Sequence, residues 1–383
     1  MMEGMVMQDS DSISMKVASD QQVDSRGEKP IRVVHVAPCL GGFGGIESFT
    51  LRLAEEQATQ KAQVSILWKR VKNFRLQEDL KGAMQTAYVK PDFVNRMSTQ
   101  LYRGIADADI VHLHNPTPDA TLFARMLGKT TVVTIYNHYG RGGLLHRMLW
   151  KVAARFAHRR WYISDFVWST WEPDGRRAGS GKMPVVSHLP NEWLLPAQRK
   201  GFIFVGRWIE NKGLEELVQA YGRADIDRQK WPLTLVGTGP LEERVRAIVS
   251  GRSISGVTMT GFVSGEERNR LIRSSKWMVA PPNTKEDLGL TPIESRHVGV
   301  PAIITRDGGL PEAGGVHCLC CEPGDVNGLT RLLEKAAAMT EAEYETISQA
   351  TREELLGYLR PLSVYLDSYR ALLQNRLSAV HEC

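Results

Sequence analysis

From Ile31 onward the chain alternates short β-branched runs with amphipathic stretches. IRVVHVAP (31–38), VSILW (64–68), IVHLHN (110–115), TVVTIYN (131–137), RWYIS (160–164) and PVVSHLP (184–190) read as buried strands. Segments such as IESFTLRLAEEQA (46–58) and GLLHRMLWKVAARFA (143–157) read as helices with one apolar face. A buried run followed by a helix, repeated, specifies a doubly wound α/β unit with a parallel sheet. A polar, Pro-containing break near PNEWLLPAQRKG (190–201) interrupts the alternation. It restarts with FIFVG (202–206), LTLVG (233–237), VTMTGFV (257–263), WMVAPP (277–282), AIITR (302–306) and HCLCC (317–321), separated by helices near 213–223, 240–250, 265–274 and 292–299. From about residue 326 the tail is helical, with Pro361 interrupting the last two helical patterns. The pattern predicts two Rossmann-like, doubly wound α/β domains, at 30–195 and 196–355, after a disordered lead at 1–29 and before C-terminal helices at 356–383. The carboxyl ends of both sheets should face one cleft, where open α/β sheets bind ligands.

Composition changes this picture little. The 383 residues are 42% hydrophobic and 24% charged, close to soluble globular averages, which excludes a disordered or low-complexity chain. No stretch approaches about 18 consecutive apolar residues, and the first 30 lack the apolar core of a secretory signal, so the expected location is cytoplasmic. The 5 cysteines are then expected as reduced thiols. Charge matters more. Residues 31–200 carry 24 Lys and Arg against 13 Asp and Glu, whereas the flanking segments are slightly acidic. A basic half expects something anionic: a phosphate-bearing substrate, a membrane surface or nucleic acid.

Three segments carry candidate chemistry. The first strand runs into Gly41-Gly42-Phe43-Gly44-Gly45-Ile46-Glu47, a turn that opens a helix and lets backbone N–H groups approach an anion. Its spacing is not the G-x-G-x-x-G of dinucleotide binders, and a tight strand-to-helix turn explains it as well. In the second domain, Gly206-Arg207-Trp208-Ile209-Glu210-Asn211-Lys212-Gly213 sets two cations five residues apart on a loop entering a helix. Arg offers a planar fork to phosphate oxygens and Lys a compact point charge; taken singly, each reads as a solvated surface charge. The third segment, Glu286-Asp287-Leu288-Gly289-Leu290-Thr291-Pro292-Ile293-Glu294, straddles a loop and a helix start. Thr291 is the predicted N-cap and Pro292 the first helical residue, which makes Glu294 a capping-box partner. Glu286 has no such structural explanation. A carboxylate there can accept hydrogen bonds from sugar hydroxyls, and free N–H groups near Leu290 and Thr291 suit a diphosphate.

These segments, with Val236-Gly237-Thr238-Gly239-Pro240 and Gly299-Val300-Pro301 followed by Asp307-Gly308-Gly309-Leu310-Pro311-Glu312, resemble family four of the retaining glycosyltransferases, which have the GT-B fold. The resemblance covers about residues 31–375. It implies nucleoside diphosphate sugars held mainly by the C-terminal domain and carbohydrate or lipid-linked acceptors held by the N-terminal one, in glycan or polysaccharide synthesis with retention of configuration. It also implies that Arg207 and Lys212 clamp the diphosphate, that Glu286 contacts donor-sugar hydroxyls, and that Glu294 contacts the ribose. Backbone amides near Leu290, Gly44 and Gly45 would approach the phosphates. His138 stands where the family often has a histidine beside the reacting carbon, two residues beyond the commonest spacing; it also reads as a hydrogen-bonded loop residue. The helices at 356–383 are expected to cross back to the first domain. No cofactor is expected.

Asp107-Ala108-Asp109 and Asp225-Ile226-Asp227 each spell D-x-D, but both precede a strand and should face away from the cleft, so no metal is assigned and turnover without one is expected. His317-Cys318-Leu319-Cys320-Cys321 lacks a second pair at zinc-finger spacing and reads as thiols. A helix over Leu144–Arg160 puts Leu145, Leu149, Val152 and Phe156 on a stripe with Arg147, Lys151, Arg155, Arg159 and Arg160 around it. The first reading is a core-facing stripe with a solvated basic face; the second is contact with an anionic membrane surface, which would make the protein peripheral on the cytoplasmic face. The rival functions are an epimerase or hydrolase on the same scaffold and a non-catalytic nucleotide-sugar-binding subunit, and the intact Glu286, Arg207, Lys212 and Glu294 count against the second. A nucleic-acid partner is not expected, because no surface interleaves basic and aromatic residues.

Overall fold

The structure, a computed structural model, describes residues 29–140, 142–183 and 198–381. The lead before residue 29, the strand expected at 184–190 and most of the break after it lie outside the described residues. The first half runs β1 (Arg32–Cys39), α1 (Gly45–Thr59), β2 (Gln63–Arg70), α2 (Glu78–Thr86), β3 (Pro91–Val94), α3 (Thr99–Ala106), β4 (Ile110–His114), α4 (Pro118–Met126), β5 (Thr130–Ile135), α5 (Leu144–Arg155), β6 (Arg159–Tyr162), α6 (Asp165–Trp171) and β7 (Ser180–Lys182). The second runs β8 (Phe202–Val205), α7 (Leu214–Arg223), β9 (Leu233–Val236), α8 (Glu242–Gly251), β10 (Val257–Gly261), α9 (Gly265–Arg273), β11 (Trp277–Ala280), α10 (Leu290–His297), β12 (Ala302–Thr305), α11 (Leu310–Gly314), β13 (Leu319–Cys321) and α12 (Val326–Ala338), followed by α13 (Glu341–Tyr358) and α14 (Ser363–His381).

The strands form two parallel sheets, seven-stranded in the order β3-β2-β1-β4-β5-β6-β7 and six-stranded in the order β10-β9-β8-β11-β12-β13. In each, the order reverses beside the first strand, which opens a crevice at the carboxyl ends. Strands β4 and β5 are buried along their whole length, as a parallel sheet covered by helices on both faces requires. Two strands escape the sequence pattern, β3 (Pro-Asp-Phe-Val) and β7 (Ser-Gly-Lys). Both lie at sheet edges, where fewer side chains need burial.

One expected helix is corrected twice. α5 ends at Arg155, so Arg159 and Arg160 belong to β6. Its stripe does not face the core: Leu145, Leu149, Val152 and Phe156 are 70%, 43%, 51% and 44% exposed. What α5 buries is Ala153 and Ala154, small side chains that allow a close approach to the sheet.

The first sheet holds an unusual polar core. His35 of β1 and His112 and His114 of β4 are fully buried and together form a cluster whose ligand-type atoms lie within 4.8 Å of one another. Every ring nitrogen has a partner: His114 Nδ1 lies 2.7 Å from the Tyr136 hydroxyl, His114 Nε2 3.0 Å from His35 Nδ1, His35 Nε2 2.8 Å from Gln57 Oε1, His112 Nδ1 2.7 Å from the Tyr369 hydroxyl and His112 Nε2 2.8 Å from Thr134 Oγ1. One proton per ring satisfies all five bonds. With the Gln57 oxygen toward His35, hydrogen bonds run from Tyr136 through His114 and His35 to Gln57, whose amide donates to Tyr369 at 3.4 Å, and on to His112 and Thr134. A metal ion taking one nitrogen from each ring would have to displace at least two of these bonds. The network reaches α14, which lies over the first sheet, with Tyr365 against Trp161 at 4.9 Å between ring centroids and the Arg376 guanidinium donating to Thr130 Oγ1 at 2.7 Å.

Burial holds all three imidazoles below their ordinary range, His35 at about 4. A base whose folded pKa is lowered contributes stability that is complete above its unfolded value, here 6.5, and is lost as pH falls through the folded one. His35 alone should therefore cost about 2 kcal/mol of stability on going from pH 7 to pH 5. Urea midpoints measured at both pH values test this, and equal midpoints would contradict a neutral network.

Candidate active site

A cavity of about 230 Å³ opens at the carboxyl ends of β8 and β11 and is lined by Gly206, Arg207, Lys212, Glu286, Leu290 and Thr291 among others. Four residues expected from the sequence, Arg207, Lys212, Glu286 and Leu290, thus share one pocket. Glu286 is fixed by the turn after β12: Asp307 Oδ2 accepts its N–H at 3.0 Å, and the Gly309 N–H donates to its carbonyl at 2.8 Å. Gly308 adopts φ +54°, and a Cβ there would stand 2.0 Å from the Glu286 carbonyl oxygen, so only glycine permits this backbone contact. The Lys212 ammonium donates to Glu286 Oε2 at 2.5 Å, with both side chains about three-quarters buried. Burial raises the Asp307 carboxyl above its usual range; the N–H of Glu286 opposes the shift and the Glu286 carboxylate adds to it.

The start of α10 differs from the sequence expectation. Gly289, at φ +96°, is the N-cap, Leu290 the first helical residue and Pro292 the third. Glu294 therefore falls in the second turn and is not a capping-box partner. Gly289 takes the cap because the chain packs against Leu310, whose Cδ2 a Cβ would meet at 2.7 Å. Glu294 is 4% exposed, has Arg268 Nη1 at 3.7 Å, and does not line the cavity.

The first half meets this pocket in two places. Gly44 is the N-cap of α1, with its N–H donating to Glu47 Oε2 at 3.2 Å, and a Cβ on Gly45 would lie 3.0 Å from Leu290 Cδ1. The N-terminal turns of α1 and α10 thus approach one another, and each carries N–H groups without intrahelical acceptors and a partial positive charge. The second place is Asp287. Its Oδ1 accepts from the His138 N–H at 2.8 Å and pairs with His138 Nδ1 at 2.7 Å, and its Oδ2 accepts from the Asn137 amide at 3.2 Å. Ser164 donates to the Asp287 carbonyl at 2.6 Å. Because a carboxylate only accepts, Nδ1 of His138 carries a proton. Glu312 makes a further set of bridges, to the Asp165 N–H at 2.7 Å, Lys182 at 3.0 Å and the Tyr358 hydroxyl at 2.8 Å.

Asn137 and Ser164 were not singled out from the sequence. Asp287, Asp307 and Glu312 stand in motifs that were, but without a role assigned to any of them. Of the D-x-D pairs, Asp109 is bonded to Arg32 at 2.7 Å at the amino ends of β1 and β4, and Asp227 accepts from the Gln229 N–H in its own turn.

Residues 187–354 match the family described as Glycosyl transferases group 1, and residues 43–164 match Glycosyltransferase Family 4. Among curated relatives, an O-antigen chain mannosyltransferase of Escherichia coli is 26% identical over 46% of this chain and 47% of its own. A D-rhamnosyltransferase of Pseudomonas aeruginosa is 26% identical over 53% and 56%. The chain thus spans about half the length of these relatives. In fold, a glycosyltransferase from Rickettsia africae superposes with a TM-score of 0.74 at 15% identity, covering 90% of this chain and 99% of that one. An Anabaena protein solved with UDP gives a TM-score of 0.74 at 13% identity, covering 91% and 100%.

Asp287→Ala should leave the His138 and Asn137 donors without an acceptor in a poorly hydrated place, at a cost of about 2 to 3 kcal/mol. Asp287→Asn, isosteric but uncharged, should lose less. Urea unfolding of both variants checks this, and wild-type midpoints would show that the bridge does not support the fold.

Proposed function

We propose, for a chain that belongs to family four of the glycosyltransferases, the transfer of a sugar from a nucleoside diphosphate sugar to a hydroxyl of a carbohydrate or lipid-linked acceptor. The carrying observation is that Arg207, Lys212, Glu286 and the N-terminal turn of α10 line one cavity, with the start of α1 approaching its Leu290 wall. Fixed positive groups of this kind stabilise charge that develops on a departing diphosphate. In the proposed reaction the bond between the anomeric carbon and the diphosphate oxygen breaks, and its electron pair goes to that oxygen. The acceptor oxygen bonds to the anomeric carbon and releases its proton to the same phosphate group. Entry and departure on one face retain configuration. Glu286 orients the sugar hydroxyls and His138, held by Asp287, lies beside the reacting carbon; Glu294, buried and outside the cavity lining, is not given the ribose. The named mannosyl and rhamnosyl transferases among the relatives support glycan or polysaccharide synthesis as the setting.

No helix among the described residues is long and apolar enough to cross a membrane. The exposed apolar stripe of α5 beside Lys151 and Arg155 supports peripheral attachment to the cytoplasmic face of an anionic membrane. Transfer is proposed to need no divalent metal, since the cations and helix ends already serve the diphosphate.

Melting shifts against a panel of nucleoside diphosphates and their sugars test the donor class, because a ligand at about 100 times its Kd stabilises by about 2.7 kcal/mol. UDP comes first in the panel, given the Anabaena protein; no shift with any member would refute the reading. Arg207→Ala and Lys212→Ala should each lower kcat on the order of 10² to 10³. Glu286→Gln should lower turnover while binding nucleoside diphosphate at least as well, because it releases Lys212 from an internal carboxylate. A chelator should leave the rate unchanged; loss of activity that magnesium or manganese restores would overturn metal independence.

A further inference from the structure

A second cavity, of about 360 Å³, lies between α5, β6 and the end of α6. Its lining includes Lys151, Arg155, Arg160, Arg177, Trp171 and Glu172. The one carboxylate is fully engaged. Glu172 pairs with Arg160 at 3.4 Å and accepts from the Tyr162 and Ser180 hydroxyls, the Trp168 indole and the Arg177 N–H at 2.7 to 3.0 Å. Lys151, Arg155 and the Arg177 guanidinium have no anionic partner among the described residues. The cavity therefore carries three unbalanced positive charges on a concave surface, where field lines concentrate and an anion is favoured.

Beside it lies the apolar face. Leu145, Met148, Leu149 and Val152 of α5 stand 43% to 70% exposed, and Leu122 and Met126 of the neighbouring α4 are exposed too. A patch of this kind on a soluble surface marks an interaction site. Free phosphate would account for the cations and leave the stripe unused. A protein partner would account for the stripe, but interface centres are depleted in lysine. A bilayer presents a phosphate layer directly above an apolar interior, in the same order in which α5 presents its cations and its leucines.

We propose that this cavity holds the phosphate of a membrane phospholipid while the stripe of α5 and α4 enters the apolar edge of the same bilayer. The site deepens the membrane reading above and does not depend on transferase activity. It also bears on the active site, because the indole N–H of Trp171 donates to the Asn137 carbonyl at 2.8 Å, one residue from His138. Lipid held there would keep the bilayer close to the acceptor side of the cleft.

The test is cosedimentation of the full chain with phosphatidylcholine vesicles, with and without phosphatidylglycerol. Wild type should bind only the anionic vesicles. Lys151→Glu with Arg155→Glu should weaken that binding at least about tenfold. A charge-matched control on the second half, Arg252→Glu with Lys335→Glu, should change it by less than about twofold. Leu145→Ser with Met148→Ser should abolish it although no charge changes. Equal losses in the cavity and control pairs would mean diffuse charge attraction, and the site would be wrong. A melting shift with inorganic phosphate, lost in the cavity pair, without vesicle binding would make this a soluble-phosphate site and overturn the proposal. So would self-association that the Ser variant removes, with no vesicle binding. Nucleotide melting shifts in the same variants separate the two readings: vesicle binding without any nucleotide response would leave this proposal standing and the transferase reading refuted.

Discussion

Asp287 lies on the loop between β11 and α10, and its nearly buried carboxylate takes its hydrogen bonds from Asn137 and His138 on the loop after β5. A buried charge must be met by donors or it destabilises the fold. Here the donors come from the other half of the chain, so satisfying one carboxylate sets the position of two loops. Glu286 precedes Asp287 directly, and α10 begins three residues after it. The pocket side chain and the helix end that faces Gly45 therefore depend on the same contact.

Within the pocket the electrostatics are balanced by an internal pair. Lys212 is held by Glu286, and Asp307 behind them has a raised pKa. Arg207 and the two helix ends keep the site positive overall. In the proposed reaction a diphosphate would compete with Glu286 for Lys212 and free that carboxylate for a sugar, which would couple donor binding to the placement of Glu286.

The core of the first sheet obeys a different rule. Three histidines and the hydroxyls of Tyr136, Tyr369 and Thr134 are buried together, yet none needs to be charged, because one proton per ring completes the set of bonds. Since Tyr369 belongs to α14, the C-terminal helix is tied to the sheet by directional bonds as well as by area. Its seating over that sheet is thereby specified, where apolar packing alone would tolerate sliding.

The alternation of strands and helices was legible because a parallel sheet covered on both faces demands near-continuous apolar runs, as in β4, β5 and β8. Edge strands β3 and β7 carry no such demand and left no signal. Arg207, Lys212 and Leu290 drew attention because each sits near a strand end or helix start whose local pattern is strong, and Glu286 because no local structural role accounts for it; the four line one cavity. The stripe of α5 has helical period, but period does not say which face is buried; in the structure Ala153 and Ala154 take that place. Glu294 reads as a cap partner in the sequence, but the helix starts after Gly289, whose left-handed conformation and closeness to Leu310 suit a residue without a Cβ. Asp287 is 150 residues from Asn137 in sequence, and nothing local pairs them. The sequence by itself determined the buried strands of both sheets and drew attention to the residues of the pocket, since these follow from neighbours along the chain. Only the tertiary structure decided which loops meet and which faces stay in water, because those depend on donors and volumes supplied by distant residues.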